Sequence, residues 1–232
     1  MSLSLKQTTY PIEGIILDMD GLLIDSESTY CEAWIKASNH LNSPMTEEFC
    51  SGLFGQDSAS VMKAFRAHLG GEDEVAVFMK EATRFWHEGI KKEGIRAMPG
   101  ASELLERLEA LEIPFIVATN SDSKFAEIGL RQSGLDTKIK RYIARDEVKL
   151  GKPAPDLFLK AASIMNLKPN ACWVLEDSVT GLEAAKAAGC WSVMIQSDPK
   201  RQTQGQYLAH VCLQDLNAFT HFFLDSQKEH AI

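Results

Sequence analysis

Nothing in this sequence resembles a zinc or disulfide framework. Its five cysteines, Cys31, Cys50, Cys172, Cys190 and Cys212, are odd in number and include no CxxC pair. Such a set reads as reduced thiols in a cytosolic protein. The six histidines show no metal-ligand spacing. Gly (15) and Pro (8) are too ordinary for disorder or a fibrous repeat. No apolar run approaches membrane-spanning length, and the stretch 1–11 lacks the apolar centre of a signal peptide. Basic charge is also short: 24 Lys and Arg face 32 Asp and Glu, a net −8, which argues against a nucleic-acid partner. The expectation is a cytoplasmic protein with no membrane partner, a monomer or weak homo-oligomer.

What is present begins at Leu17-Asp18-Met19-Asp20-Gly21. The apolar run Ile15-Ile16-Leu17 reads as a buried strand ending in two carboxylates one residue apart. Side chains two apart on a strand share a face, so Asp18 and Asp20 can serve one site. Gly21 lets the backbone turn away without a Cβ. Two like charges at a buried strand end are unfavourable unless a cation or a reaction compensates them.

The first strand is expected over 12–17. Apolar residues at helical spacing then predict helices over 28–40, from Asp57 as N-cap to Gly70, and from Val75 to Gly94. No strand pattern interrupts 25–95. Beyond Met98-Pro99-Gly100 strands and helices alternate: a helix over 103–111, a strand over 114–118, a helix over 124–133 and a strand over 141–144. A helix over 156–166, a strand over 172–175, a helix over 180–188 and a strand over 191–195 follow. A short strand over 210–213 and a helix over 216–224 complete the pattern. Alternation predicts an α/β fold: a Rossmann-like parallel sheet core with helices on both faces, plus an inserted α-helical cap domain. The core is expected to comprise 1–24 and 96–232 and the cap 25–95, with hinges at 22–25 and 96–100.

Ligands bind at the carboxyl ends of strands in such sheets. Reading those ends together collects Asp18 and Asp20, then Thr119-Asn120-Ser121-Asp122, then Lys149 to Pro153, then Glu176-Asp177-Ser178. Asp25 and Asp122 are read as helix N-caps, and Lys124 and Lys149 as surface residues. Trp34, Phe85 and Trp86 are read as packing within the cap.

These segments resemble the haloacid dehalogenase superfamily, in the branch that carries a helical cap after the first motif (β-phosphoglucomutase and phosphosugar phosphatases). The matching pieces are Asp18-Met19-Asp20-Gly21, Ala118-Thr119-Asn120-Ser121, Gly151-Lys152-Pro153-Ala154-Pro155-Asp156 and Leu175-Glu176-Asp177-Ser178. Gly181 and Ala184 to Gly189 also fit. Four motifs in order over nearly the whole chain are far more specific than one DxDG.

The resemblance implies a Mg2+-dependent phosphatase acting on a small phosphorylated metabolite. Asp18 would form an aspartyl-phosphate and Asp20 would act as general acid/base. Asp18, Asp177 and the Asp20 carbonyl would hold Mg2+, with Glu176 supporting the site directly or through water. Thr119 and Asn120 would contact the phosphoryl group, and Lys152 would stabilise its charge.

Two alternatives share parts of this constellation. A mutase of the β-phosphoglucomutase type would carry a cap histidine and an arginine, but this chain has Tyr30 and a position close to Gln56 there. A receiver-like phospho-acceptor module is about half as long, has its reactive aspartate on a later strand and carries no cap. Dehalogenation would leave Asp20 and the Glu176-Asp177 pair without a purpose.

Overall fold

The structure, a computed structural model, describes residues 12–54, 56 and 58–229. Its centre is strand β1 (Gly14–Leu17), every residue of which is buried. Around it lie β2 (Phe115–Ala118), β3 (Tyr142–Ile143), β4 (Cys172–Glu176), β5 (Trp191–Ile195) and β6 (Val211–Leu213). Among the described residues they form one parallel sheet in the order β3-β2-β1-β4-β5-β6.

Alternation of side chains along β1 explains the two-faced core. Ile15 and Leu17 join the apolar cluster on one face, and Ile16 joins that on the other. Both faces are covered by helices, as a parallel sheet requires. On the Ile16 side lie α7 (Asp156–Ile164) and α8 (Val179–Ala188). On the other lie α5 (Ala101–Ala110), α6 (Ser123–Gln132) and α10 (Leu216–Glu229). Fully burying one such aliphatic side chain contributes about 1.5–3 kcal/mol.

The insertion after β1 is helical, as expected: α1 (Ser26–His40), α2 (Glu47–Ser51), α3 (Ser58–Leu69) and α4 (Glu72–Glu93). It has its own apolar centre, in which Phe65 meets Phe78 edge-on at 4.9 Å and Trp34 at 5.1 Å. Trp86 departs from the expectation only in part. It packs within the cap, stacked on Tyr30, and also reaches the sheet-side cluster, where it meets Phe125. The two linkers pair with each other: Asp25 N donates to Arg96 O (2.9 Å) and Met98 N to Leu23 O (2.8 Å).

Two helices were not visible in the sequence pattern. α2 is a single turn started by Thr46, whose hydroxyl accepts from Phe49 N, too short to show a helical period. α9 (Pro199–Gly205) is polar and has no apolar stripe to betray it. Strand β1 is two residues shorter than expected, and the proposed cap at Asp57 lies outside the described residues. Among those residues no helix is long and apolar enough to cross a membrane.

Candidate active site

Sheet register brings the sequence-distant residues together. Leu17 pairs with Val117 on one side and Leu175 on the other. The polar residues just beyond each strand therefore emerge at one level. Gly21 makes the turn after Asp20 with φ +79°, and a Cβ there would stand 2.5 Å from Asp177 Oδ2. Glycine is thus required for two reasons at once.

Lys152 is the hub. Its ammonium, buried, donates to Asp18 Oδ1 and to Glu176 Oε1 (2.6 Å). Its backbone is clamped by Asn120, whose Oδ1 accepts from Lys152 N (2.8 Å) and whose Nδ2 donates to Lys152 O (3.1 Å). The loop before it is closed by Asp156 Oδ2, accepting from Leu150 N, and by Arg145, donating to Val148 O and Lys149 O. A lysine so held is a fixed charge rather than a searching one.

Asp20 is held by three hydroxyls. Ser26 Oγ donates to Oδ1 (2.7 Å), and Thr119 Oγ1 (2.9 Å) and Ser121 Oγ (2.8 Å) donate to Oδ2. Thr119 therefore spends its proton on Asp20, and Asn120 spends its amide on Lys152. Both residues thus support other residues of the site. Glu176 has both oxygens engaged, Oε1 by Lys152 and Oε2 by Ser178 N and Oγ. Gly181 gives that carboxylate room: a Cβ there would lie 1.9 Å from it.

Burial, with the carboxylates of Glu176 and Asp20, pushes Asp18 up to about 8 against the pull of Lys152. Burial and the charges of Asp18, Glu176 and Glu27 likewise hold Asp177 well above the usual carboxylate range, while Arg201 opposes them. Lys152 is raised: burial disfavours its charge, but Asp18 and Glu176 outweigh that. Carboxylate oxygens of Asp18, Glu176 and Asp177 lie within 4.8 Å of one another. A buried, oxygen-only donor set with more negative than positive charge fits a hard divalent cation.

Above this floor lies a cavity of about 860 Å³, walled on the cap side by Ser26, Glu27, Tyr30, Gln56 and Ala59. Tyr30 is stacked on Trp86 (5.4 Å) and Trp34 (6.1 Å). Burial and the nearby Asp20 and Asp122 carboxylates raise its phenol above the usual value.

The family model described as a haloacid dehalogenase-like hydrolase matches residues 12–189. That span holds every strand-end motif. The chain belongs to this family. It is an enzyme of the hydrolase class, as the four ordered motifs implied. Hexitol phosphatase A of Escherichia coli (strain K12) is 32% identical over 187 residues, covering 80% of this chain and 83% of that protein. The phosphorylated carbohydrates phosphatase of Thermotoga maritima is 32% identical over 181 residues, covering 77% and 82%. A haloacid dehalogenase family hydrolase from Deinococcus radiodurans R1, solved with bound phosphate and sodium, superposes with a TM-score of 0.75. It is 25% identical, and the match covers 94% of this chain and 97% of that one.

The N-cap readings of Asp25 and Asp122 stand: their carboxylates accept from Ser28 N (3.3 Å) and Phe125 N (2.9 Å). Sequence reasoning missed Ser26, Ser121, Arg145 and Arg201. Ser121 lay inside a quoted motif and could have been paired with Thr119 by two-residue alternation. Arg201 carries no such signal, because it sits on the unrecognised α9.

Proposed function

We propose that this hydrolase is a Mg2+-dependent phosphatase of a small phosphorylated metabolite, a sugar phosphate or similar monoester, working through an aspartyl-phosphate on Asp18. The observation that carries the reading is the Asp18–Lys152–Glu176 bridge on the floor of a cavity roofed by the helical insertion. The two named relatives, phosphatases of hexitol phosphate and of phosphorylated carbohydrates, support the substrate class.

In this reading an Asp18 oxygen attacks phosphorus as the bond to the leaving oxygen breaks, and Asp20 gives that oxygen its proton. Water then attacks the phosphorus of the acyl phosphate, Asp20 takes up its proton, and phosphate leaves with Asp18 restored. Lys152 neutralises charge that grows on the phosphoryl oxygens, a contribution of about 3–4 kcal/mol for one preorganised donor. Asp18, Asp177 and the Asp20 carbonyl would hold the cation; Glu176, with both oxygens engaged, supports Lys152. Bound Mg2+ supplies the positive charge that keeps Asp18 ionised and offsets its repulsion from a phosphoryl dianion.

The cap, taken as 25–95, reads the leaving group and excludes water over the core at 1–24 and 96–232. Hydrolysis is preferred to phosphosugar mutation because Tyr30, its phenol raised, stays protonated near neutral pH and is a poor proton shuttle.

A panel of phosphorylated metabolites tests this. Phosphate release is expected to require Mg2+, to stop with chelator and to rank sugar phosphates above bulky substrates. No metal-dependent release from any member, aryl phosphate included, would overturn it. Conversion of β-glucose 1-phosphate to glucose 6-phosphate faster than phosphate release would favour the mutase.

A further inference from the structure

The root of the cap is flanked differently on its two sides. Toward β2 the contact is apolar: Trp86 meets Phe125 at 5.2 Å, and Ile24 lies so close to Gly129 that a Cβ there would be 2.8 Å from it. Toward β5 the contact is ionic. Arg201 Nη1 donates to Glu27 Oε2 (3.2 Å), and Nη2 to Glu27 Oε1 (3.4 Å) and to Asp177 Oδ2 (3.2 Å). One guanidinium thus joins the first turn of α1 to the acidic floor, 174 residues away in sequence from Glu27.

The geometry points to Arg201 as a positioning residue, an ionic tie that fixes the first turn of the cap against the core and thereby sets Ser26 over Asp20. The fork engages Glu27 through two nitrogens, a planar match that lysine cannot reproduce. The side chains are shielded, Arg201 and Glu27 being 24% and 21% exposed and Asp177 6%. Such a pair is screened less than a surface one.

The carrier is also built to hold still. Asp198 caps α9 by accepting from Lys200 N (2.8 Å), and Gln196 accepts from Asp198 N while donating to Asp177 O. Gly205 seats the helix against Met194 and Leu182, where a Cβ would come within 2.6–2.8 Å. On the other side of the tie, Glu27 adjoins Ser26, the residue that donates to Asp20. A shift of the first turn is therefore a shift at the acid/base group.

The tie is tested by Arg201→Ala, Arg201→Lys, Glu27→Gln and the Arg201→Ala/Glu27→Gln double variant of the full chain. Hydrogen exchange in metal-free buffer is read on peptides covering 22–30 and 96–98. Each of Arg201→Ala and Glu27→Gln is expected to speed exchange there by about tenfold, as a local opening contact is lost. The double variant should exchange no faster than either single, and Arg201→Lys should fall between wild type and Arg201→Ala. With Mg2+ and an aryl phosphate, both singles are expected to lower kcat by about tenfold while KM changes by less than about threefold.

Unchanged exchange in both singles, or effects that multiply in the double variant, would overturn the tie. Faster exchange with unaltered kcat would overturn the positioning role. Should Arg201→Ala not fold, Glu27→Gln, which removes the charge and one of the two acceptor oxygens, decides from the cap side. The kinetic arm rests on the phosphatase reading, whereas exchange does not. A wild type without phosphatase activity would therefore defeat that reading and leave the tie to be decided by exchange.

Discussion

The floor of the cavity and its roof are built on opposite principles. On the floor each polar side chain is fixed by another: Asn120 clamps Lys152, Lys152 bridges Asp18 and Glu176, and three hydroxyls hold Asp20. The roof hangs from an apolar cluster around Phe65 and Phe78 and presents a mixed set, Glu27, Tyr30, Gln56 and Ala59, to the same space. In the proposed reading the rigid floor meets the phosphoryl group, which is alike in all monoesters. In the same reading the mixed wall meets the rest of the substrate, which differs from one monoester to another.

Substitutions at the floor are expected to have the largest effects. Asp18→Asn is expected to lower aryl-phosphate hydrolysis by roughly four orders of magnitude, since no other group can carry the phosphoryl. Turnover near wild type would remove Asp18 from its role. Lys152→Met comes next, with kcat down by about 10²–10³. It also leaves Asp18 and Glu176 without their shared cation, at a cost of about 3–5 kcal/mol in a urea titration.

A third effect is a pH dependence confined to the floor. Asp18, at about 8 in the folded protein, binds more protons there than in the unfolded chain. Its contribution to stability is therefore complete below about pH 4 and lost as pH rises through about 8. Metal-free protein should therefore lose stability over this range, read as a falling Tm, and Mg2+ should flatten the curve. A metal-free Tm that rises over the same interval contradicts the charge balance described here.

At the roof the effects are smaller and selective. Gln56→Ala is expected to change the kcat/KM ratio between hexose and pentose phosphates by up to about tenfold, with Tm within about 2 °C. Smallest of all, Asp122→Ala removes a helix cap beside the site and costs about 1 kcal/mol in thermal unfolding.

The same contrast explains what could be read in advance. The floor was legible because its residues follow buried strands, where a polar residue stands out. Asp18, Thr119 and Glu176 each end such a run, and parallel register then brings them level. Their partners were less legible. That Thr119 would serve Asp20, and Asn120 the backbone of Lys152, depends on side-chain directions that spacing does not specify. The helical character of the insertion followed from periodicity, yet Trp86 bridges Tyr30 of the cap and Phe125 of the core because the first and last cap helices also face the core. α9 and Arg201 stayed hidden because a short polar helix leaves no period.

The proposed mechanism requires a covalent phosphoryl group on Asp18. Wild-type protein quenched in acid during turnover of an aryl phosphate, reduced with borohydride and mapped by mass spectrometry measures it directly. The expected product is homoserine at position 18, absent without substrate and absent without Mg2+. Active enzyme whose modification maps to another residue, with Asp18 intact, contradicts the account.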